Sequence, residues 1–85
     1  MTVQEFENKV WQMDRVRVIV RAPAGKQVKD YKHKNAAQGN WRITEYIDKR
    51  LKPLIDDLEV MILEGDGEQP HGGSLLDSVR QSYKR

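Results

Sequence analysis

The stretch RVRVIVR, residues 15–21, decides the fold of this chain. Successive side chains of a β-strand point to opposite faces of a sheet, so a strict alternation of apolar and polar residues is typical of a half-buried strand. The alternation here predicts a strand with one buried face and one wet, cationic face. The buried face carries Val16, Val18 and Val20, and the wet face carries Arg15, Arg17, Ile19 and Arg21.

The residues before this strand predict a short amphipathic helix over 2–13. Thr2 and Glu5 have the spacing of a capping box, in which each side chain accepts a hydrogen bond from the other residue's backbone. Trp11 lies beside the apolar stripe, where it either packs against the domain or belongs to a contact surface. The stripe recurs at helical spacing and consists of Val3, Phe6, Val10 and Met13.

The residues after the strand give weaker signals. Pro23 and Gly25 predict a turn that ends the strand. Residues 26–32 either return as an antiparallel edge strand or form a basic loop, because their only bulky residues, Val28 and Tyr31, are three positions apart rather than two. Residues 33–40 form a polar connector.

A central helix is predicted to begin at an Asn40 cap. Its apolar positions follow a spacing of three and four residues, and Pro53 falls within them. Proline removes a backbone donor and disfavours helical geometry in the preceding residue, so we expect a kink or an end near Lys52. The apolar positions are Ile43, Ile47, Leu51, Leu54, Ile55 and Leu58.

Residues 58–63 predict a second strand that is apolar on both faces and therefore interior to the sheet. An acidic, glycine-rich loop follows over 64–73. A last helix is predicted to begin at a Ser74 cap with Asp77 three residues later and to end in Lys84 and Arg85. We expect its inward residues to be Leu75, Leu76, Val79 and Tyr83.

This order of elements predicts an α/β (α+β) fold, a small two-layer sandwich in which about three helices pack on a sheet of two to four strands. We expect a single domain over 1–85 with loops at 22–40 and 64–73. A right-handed crossover between the two strong strands would make them parallel. If residues 26–32 joined the sheet, it would be mixed.

Composition excludes several classes of protein. The chain has 85 residues and no cysteine, so it has no disulfide framework and no thiolate zinc site. It contains no stretch near the roughly 20 apolar residues of a membrane span, and its first residues lack a basic and apolar signal sequence. We therefore expect a soluble, cytoplasmic protein without a membrane partner.

The net charge of +2 conceals an uneven distribution. Residues 1–50 hold eleven Lys and Arg against six Asp and Glu, whereas residues 51–85 hold four against seven, so the two parts carry +5 and −3. The basic segment, residues 15–34, holds seven basic residues and one acid, Asp30. Such a concentration favours polyanionic partners, although basic residues also keep exposed strands soluble and unpaired.

The residues offer little for catalysis. Nucleophilic hydrolysis needs a nucleophile, a base and an orienting group, and the only serines lie together on the last predicted helix. Residues 64–71 hold three acids and a histidine, but they do not match an EF-hand and are typical of a solvated turn. No glycine-rich phosphate loop is present. We expect no enzyme activity, no cofactor and no metal site.

Binding is the function class that remains. The leading hypothesis is a non-enzymatic protein whose basic strand and loop contact a polyanion, either nucleic acid or the acidic face of a nucleoprotein complex. The alternative is a small inhibitor or adaptor, such as a phage or mobile-element accessory protein that blocks a host nucleic-acid-processing defence complex. A thin core and an open sheet edge also make a homodimer plausible. The candidate contact residues are Arg15, Arg17, Arg21, Lys26, Lys29, Tyr31, Lys32, Lys34, Trp41 and Arg42, with Tyr31 and Trp41 as rings for stacking on bases.

Overall fold

The computed structural model describes residues 1–83 and contains two strands that pair antiparallel. Strand β1 (Arg17–Arg21) lies beside strand β2 (Glu59–Leu63), with Arg17 opposite Leu63 and Arg21 opposite Glu59. The predicted mixed α/β fold is confirmed, with three helical segments and this two-stranded sheet within the described residues. The parallel pairing expected from a right-handed crossover is wrong.

Residues 22–42 explain the antiparallel pairing, because they make an additional pass along the molecule. Near the start of this pass, Val28 and the N-terminal residue Met1 exchange two backbone hydrogen bonds of 2.9 Å. Near its far end, the backbone N–H of Ala37 donates to the carboxylate of Asp14, at the opposite end of the first helix. The chain therefore reverses once more before the central helix, so β2 enters the sheet running against β1.

The edge strand considered for residues 26–32 does not form. One isolated bridge joins Gln27 to Thr2, and the N-terminus rather than β1 is the partner of this part of the chain. The sheet is therefore purely antiparallel within residues 1–83.

Helix α1 (Val3–Asp14) has the predicted capping box. The N–H of Glu5 donates to Thr2 Oγ1 and the N–H of Thr2 donates to Glu5 Oε1, each at 3.1 Å. Phe6 and Val10 are fully buried, as the apolar stripe predicts. The helix ends at Arg15, whose left-handed conformation (φ 58°) turns the chain directly into β1.

The central helix, residues 43–55, is continuous but not uniform. It consists of α2 (Ile43–Tyr46), a π-helical turn (Ile47–Leu51) and α3 (Lys52–Ile55). The Asn40 cap is wrong: the N-cap is Arg42, whose backbone N–H donates to Glu45 Oε1 at 3.3 Å.

Pro53 neither ends nor breaks this helix. The π-helical turn lies immediately before it, and the N–H of Lys52 donates to the C=O of Ile47, five residues back. A π-helical turn is a common way for a helix to absorb a local irregularity. The helix ends three residues after the proline, at Asp56 with a positive φ of 55°.

Strand β2 is not interior to a larger sheet. It pairs with β1 alone, and of its five residues only Ile62 is buried while Val60, Met61 and Leu63 are half-buried. The turn after it is glycine-dependent at Gly67, which has a φ of 86°.

Helix α4 (Leu76–Ser82) begins one residue after Leu75 rather than at a Ser74 cap. The C=O of Ser74 instead accepts the N–H of Ile43, the first residue of the central helix. Leu76 and Val79 are buried as predicted, but Leu75 is 41% exposed and does not point inward. The predicted helix end at Lys84 and Arg85 lies outside the described residues.

The two faces of the sheet differ in their surroundings. Val18, Val20 and Ile62 join the buried core with residues from the helices. The outer sheet face, formed by the odd-numbered residues of both strands, presents exposed Arg17 and Arg21. None of the helices in residues 1–83 combines the length and the apolar character that a membrane-spanning helix needs.

Candidate polyanion-binding surface

All seven basic residues of the basic segment are exposed. Within residues 1–83, none of them has a carboxylate within 4.0 Å, although four basic residues outside the segment do. The one acid of the segment, Asp30, is itself neutralised by Lys9 of α1 at 2.9 Å. The positive charge that the sequence predicts is therefore exposed and forms no ion pair within residues 1–83. The seven residues are Arg15, Arg17, Arg21, Lys26, Lys29, Lys32 and Lys34.

Strand β1 positions two of these cations. Arg17, Ile19 and Arg21 alternate with buried valines, so the two guanidinium groups stand on the outer sheet face with Ile19 between them. At about 3.4 Å per residue, the Cα atoms of Arg17 and Arg21 lie roughly 14 Å apart. The opposite strand places Glu59 across from Arg21.

The lysines of the basic segment stand on backbone that is fixed at several points. Val28 is bonded to Met1, and the N–H of Lys29 donates to the C=O of Leu54 at the end of the central helix, at 3.1 Å. Val28 and Tyr31 are both buried, so the segment is anchored by two side chains while its lysines face outward.

Tyr31 is not an exposed ring for stacking on a base. It is only 4% exposed, packs edge-to-face on Phe6 with 5.5 Å between ring centroids, and donates its hydroxyl proton to Asp14. Burial, followed by its hydrogen bond to Asp14, raises the pKa of Tyr31 to about 12. The ring that the sequence places among the cations thus belongs to the core.

Trp41 and Arg42 also lie apart from an open cationic surface. Trp41 is half-buried, and the Lys49 ammonium and the Arg50 guanidinium stand 5.0 and 5.7 Å from its ring centroid. Both cations are paired with carboxylates, Lys49 with Glu45 and Arg50 with Asp14. Arg42 remains exposed, but its Nη1 donates to the C=O of Gly73 at 2.7 Å.

A buried network around Asp14 holds this part of the molecule together, and the sequence analysis missed it. Asp14 is fully buried, and its carboxylate accepts from Arg50 Nη1 at 3.1 Å, from the Tyr46 hydroxyl at 2.7 Å and from the Ala37 N–H at 2.9 Å, besides Tyr31. A carboxylate inside a protein needs several donors to offset the cost of removing it from water.

Arg80 of α4 completes the Asp14 network from the other side. Its Nε donates to the C=O of Asp14 and its Nη2 donates to the C=O of Ala37, each at 2.8 Å. The network therefore joins α1, the pass over residues 22–42, the central helix and α4. Its only signal in the sequence is an acid in the last turn of α1, where the helix dipole disfavours negative charge.

Trp11 is the aromatic residue that lies beside the basic segment. The Arg17 guanidinium carbon is 5.4 Å from its ring centroid, and Tyr83 packs against it edge-to-face at 5.3 Å. The sequence analysis placed Trp11 beside the helix stripe and did not include it among the candidate site residues. Its approach to Arg17 depends on the reversal at Arg15, which brings β1 back along α1.

The acidic loop after β2 is held by its own hydrogen bonds. The N–H of Glu64 donates to the C=O of Glu68 at 2.8 Å, and the N–H of Glu68 donates to Asp66 Oδ1 at 3.0 Å. Across residues 1–83, no three His, Asp or Glu side chains gather closely enough to hold a metal ion.

Comparison of the chain with protein-family models, with curated proteins and with solved structures gave no significant match in any of the three.

Proposed function

We propose that this protein is a non-enzymatic binding protein whose basic segment contacts a polyanion, either nucleic acid or the acidic face of a nucleoprotein complex. The observation that carries the proposal is the exposure of all seven basic residues of the segment without a carboxylate partner within residues 1–83. Clustered cations of this kind bind phosphates by displacing condensed counterions.

The contrast with the other cations supports the proposal. Arg50 and Arg80, whose side chains are 12% and 20% exposed, are both in ion pairs with aspartates, and both donate to Asp14. Their charge pairs with carboxylates of the fold, whereas the cations of the basic segment form no ion pair within residues 1–83. Because the backbone that carries these cations is already fixed, binding of a ligand orders their side chains but not the backbone.

A second candidate function is a protein-binding inhibitor or adaptor. Ile19 is 38% exposed at the centre of the outer sheet face, between two arginines and opposite the half-buried Met61. An apolar centre within a charged rim is typical of a protein interface. A pull-down from host lysate with nuclease treatment tests this function, and a stoichiometric, nuclease-resistant partner would support it over nucleic-acid binding.

The proposed function is tested by titrating the protein with DNA and RNA at several salt concentrations. Phosphate-driven binding weakens steeply as salt rises, and the slope of log affinity against log salt falls by roughly 0.7 to 0.9 for each phosphate contact removed. The double variant Arg17→Gln/Lys29→Gln removes one cation from β1 and one from the pass over residues 22–42. Absence of any affinity at low salt would refute nucleic-acid binding.

A further inference from the structure

The molecule contains the same contact twice, an arginine guanidinium over a tryptophan ring, and the two copies differ in what else the arginine does. Arg50 lies over Trp41 and also donates to the buried Asp14. Arg17 lies over Trp11, is exposed, and has no carboxylate within 4.0 Å in residues 1–83. Within that part of the chain, Trp11 is therefore the tryptophan whose ring contacts an arginine that has no carboxylate partner.

Arg17 and Trp11 are held in place by Tyr83. The Tyr83 hydroxyl accepts the backbone N–H of Arg17 at 2.9 Å and donates to the C=O of Leu63, so it bridges the last pair of the β1–β2 ladder. The ring of the same tyrosine packs edge-to-face on Trp11. A ligand that meets this group therefore finds side chains already ordered, which lowers the entropic cost of binding.

Several open grooves border Trp11, and two of them are also lined by Arg17. One of these two, of about 420 Å³, is lined by Trp11, Arg17, Gly65, Asp66, Ser82 and Tyr83. The other, of about 320 Å³, runs between α1 and β1 and is lined by Trp11, Arg17, Glu7 and Ile19 among others. Volumes of this size are within the range of small-molecule sites in proteins.

The chemistry of these grooves points to a base rather than to a phosphate. Glu7 and Asp66 stand on their walls and repel phosphate. One oxygen of each carboxylate already accepts a backbone N–H, from Val20 and Glu68 respectively, and the second oxygen can accept a hydrogen bond from the amino group of a base. Arg17 at the rim offers its guanidinium to phosphate, and planar guanidinium and tryptophan side chains both stack on unpaired bases. Bases within a duplex are already stacked and paired, so they are not free to stack on a side chain of the protein.

We infer that the ligand is single-stranded nucleic acid, an inference that rests on the proposed polyanion binding. Its phosphates lie along the cations of the basic segment, and one unpaired base lies against the Trp11–Arg17 pair. Base–aromatic stacking contributes about 1–3 kcal/mol per base, so removal of the Trp11 ring is expected to weaken single-strand binding by about 5- to 150-fold.

The test uses the two tryptophans as separate reporters. In Trp41→Phe, Trp11 is the sole source of tryptophan fluorescence, and in Trp11→Phe it is Trp41. Each variant is titrated with single-stranded DNA and single-stranded RNA of about 15 nucleotides, with a duplex of equal length and with polyglutamate. The inference predicts that single-stranded DNA, single-stranded RNA or both quench Trp11 and leave Trp41 unchanged, while duplex and polyglutamate quench neither tryptophan.

Two further variants complete the test. Trp11→Ala is expected to lose most of the preference for single strands while it keeps the salt slope, because its phosphate contacts remain. Since Trp11→Ala also removes the contact with Tyr83, Arg17→Lys serves as the milder variant: it keeps the charge but removes the planar guanidinium, and we expect the single-strand preference to fall several-fold. Circular dichroism confirms that each variant is folded.

The outcomes separate the inference from the proposed function. Salt-dependent binding of all polyanions with a silent Trp11, or equal affinity for single strand and duplex in the wild type, would overturn the inference and leave polyanion binding standing. No binding of any nucleic acid or of polyglutamate at low salt would overturn both, whereas binding of polyglutamate alone would overturn the inference and leave binding to an acidic protein surface standing. Quenching by one of DNA or RNA alone supports the inference and identifies the strand that is bound.

Discussion

Two sets of basic residues in this molecule differ in burial and in partners: the half-buried Arg50 and Arg80, and the exposed cations of the basic segment. Arg50 and Arg80 reach into the core, where they satisfy the carboxylate and the carbonyl of Asp14. Arg17 and Lys29 stand in water without a carboxylate within 4.0 Å in residues 1–83. Cations of equal formal charge therefore differ in role: those of the first set stabilise the fold, and those of the second set are the ones proposed to contact the ligand. We therefore expect substitutions in the first set to lower the stability of the fold, and substitutions in the second set to lower the affinity for the ligand.

The largest effect is expected from Asp14→Ala. The substitution leaves Arg50, Tyr31 and Tyr46 without their shared acceptor, and breaking a buried ion pair costs about 3–5 kcal/mol. Urea unfolding followed by circular dichroism measures the loss. Asp14→Asn keeps the shape but removes the charge and one acceptor oxygen, and it serves if the alanine variant does not fold. A loss below about 1 kcal/mol in both variants would mean that the network does not support the fold.

A paired comparison of Arg50→Gln and Arg17→Gln follows. Both remove one arginine that lies over a tryptophan, but only the first leaves a buried carboxylate without its cation. We expect Arg50→Gln to lower the free energy of unfolding by about 3 kcal/mol and Arg17→Gln by less than about 1 kcal/mol. Equal losses of unfolding free energy in the two variants would show that the two sets of cations do not differ in their contribution to stability.

The raised pKa of Tyr31 predicts that the fold becomes less stable at alkaline pH. Its pKa is raised to about 12 from 10.0, so the folded state holds the phenol proton more tightly than the unfolded state does. The stabilisation is fully present below pH 10 and is lost as pH rises towards 12. Thermal melts over this range in wild type and Tyr31→Phe check the point. A phenylalanine variant with the same alkaline dependence as the wild type would assign that dependence to other groups.

The smallest effect is expected from His33. Partial burial, and then the nearby positive charge of Arg50, lower the pKa of His33 below 6.5. The unfolded chain therefore binds a proton there before the folded protein does, so stability is highest above pH 6.5 and falls as the solution is acidified below it. In His33→Gln, melts between pH 7 and pH 5 should show a slightly smaller loss. A steeper loss in that variant would contradict the assignment.

The elements with local signals are the ones that could be predicted from the sequence. The capping box at Thr2 and Glu5 and the alternation of β1 involve residues a few positions apart, and the structure shows both. The antiparallel pairing could not be predicted in this way. It depends on backbone bonds between Val28 and Met1, 27 positions apart, which no local pattern announces.

The candidate site shows the same division. The density of lysine and arginine in the basic segment predicted exposed charge, because such residues are seldom buried without a partner. Burial of Tyr31 was not predicted, since it depends on one carboxylate, Asp14, that also collects donors from Tyr46 and Arg50. The neighbourhood of Trp11 and Arg17 likewise appears only when α1 and β1 are folded against each other.

The most direct test of the account compares two double variants that lose the same charge. Arg17→Gln/Lys29→Gln removes two cations from the basic segment, and Lys49→Gln/Lys52→Gln removes two exposed cations from the central helix. The measurement is the slope of log affinity for nucleic acid against log salt concentration. We predict that this slope is shallower than in the wild type by about 1.5 in the first variant and is unchanged in the second. Equal slopes in the two variants would contradict it, because the binding would then follow net charge rather than the basic segment.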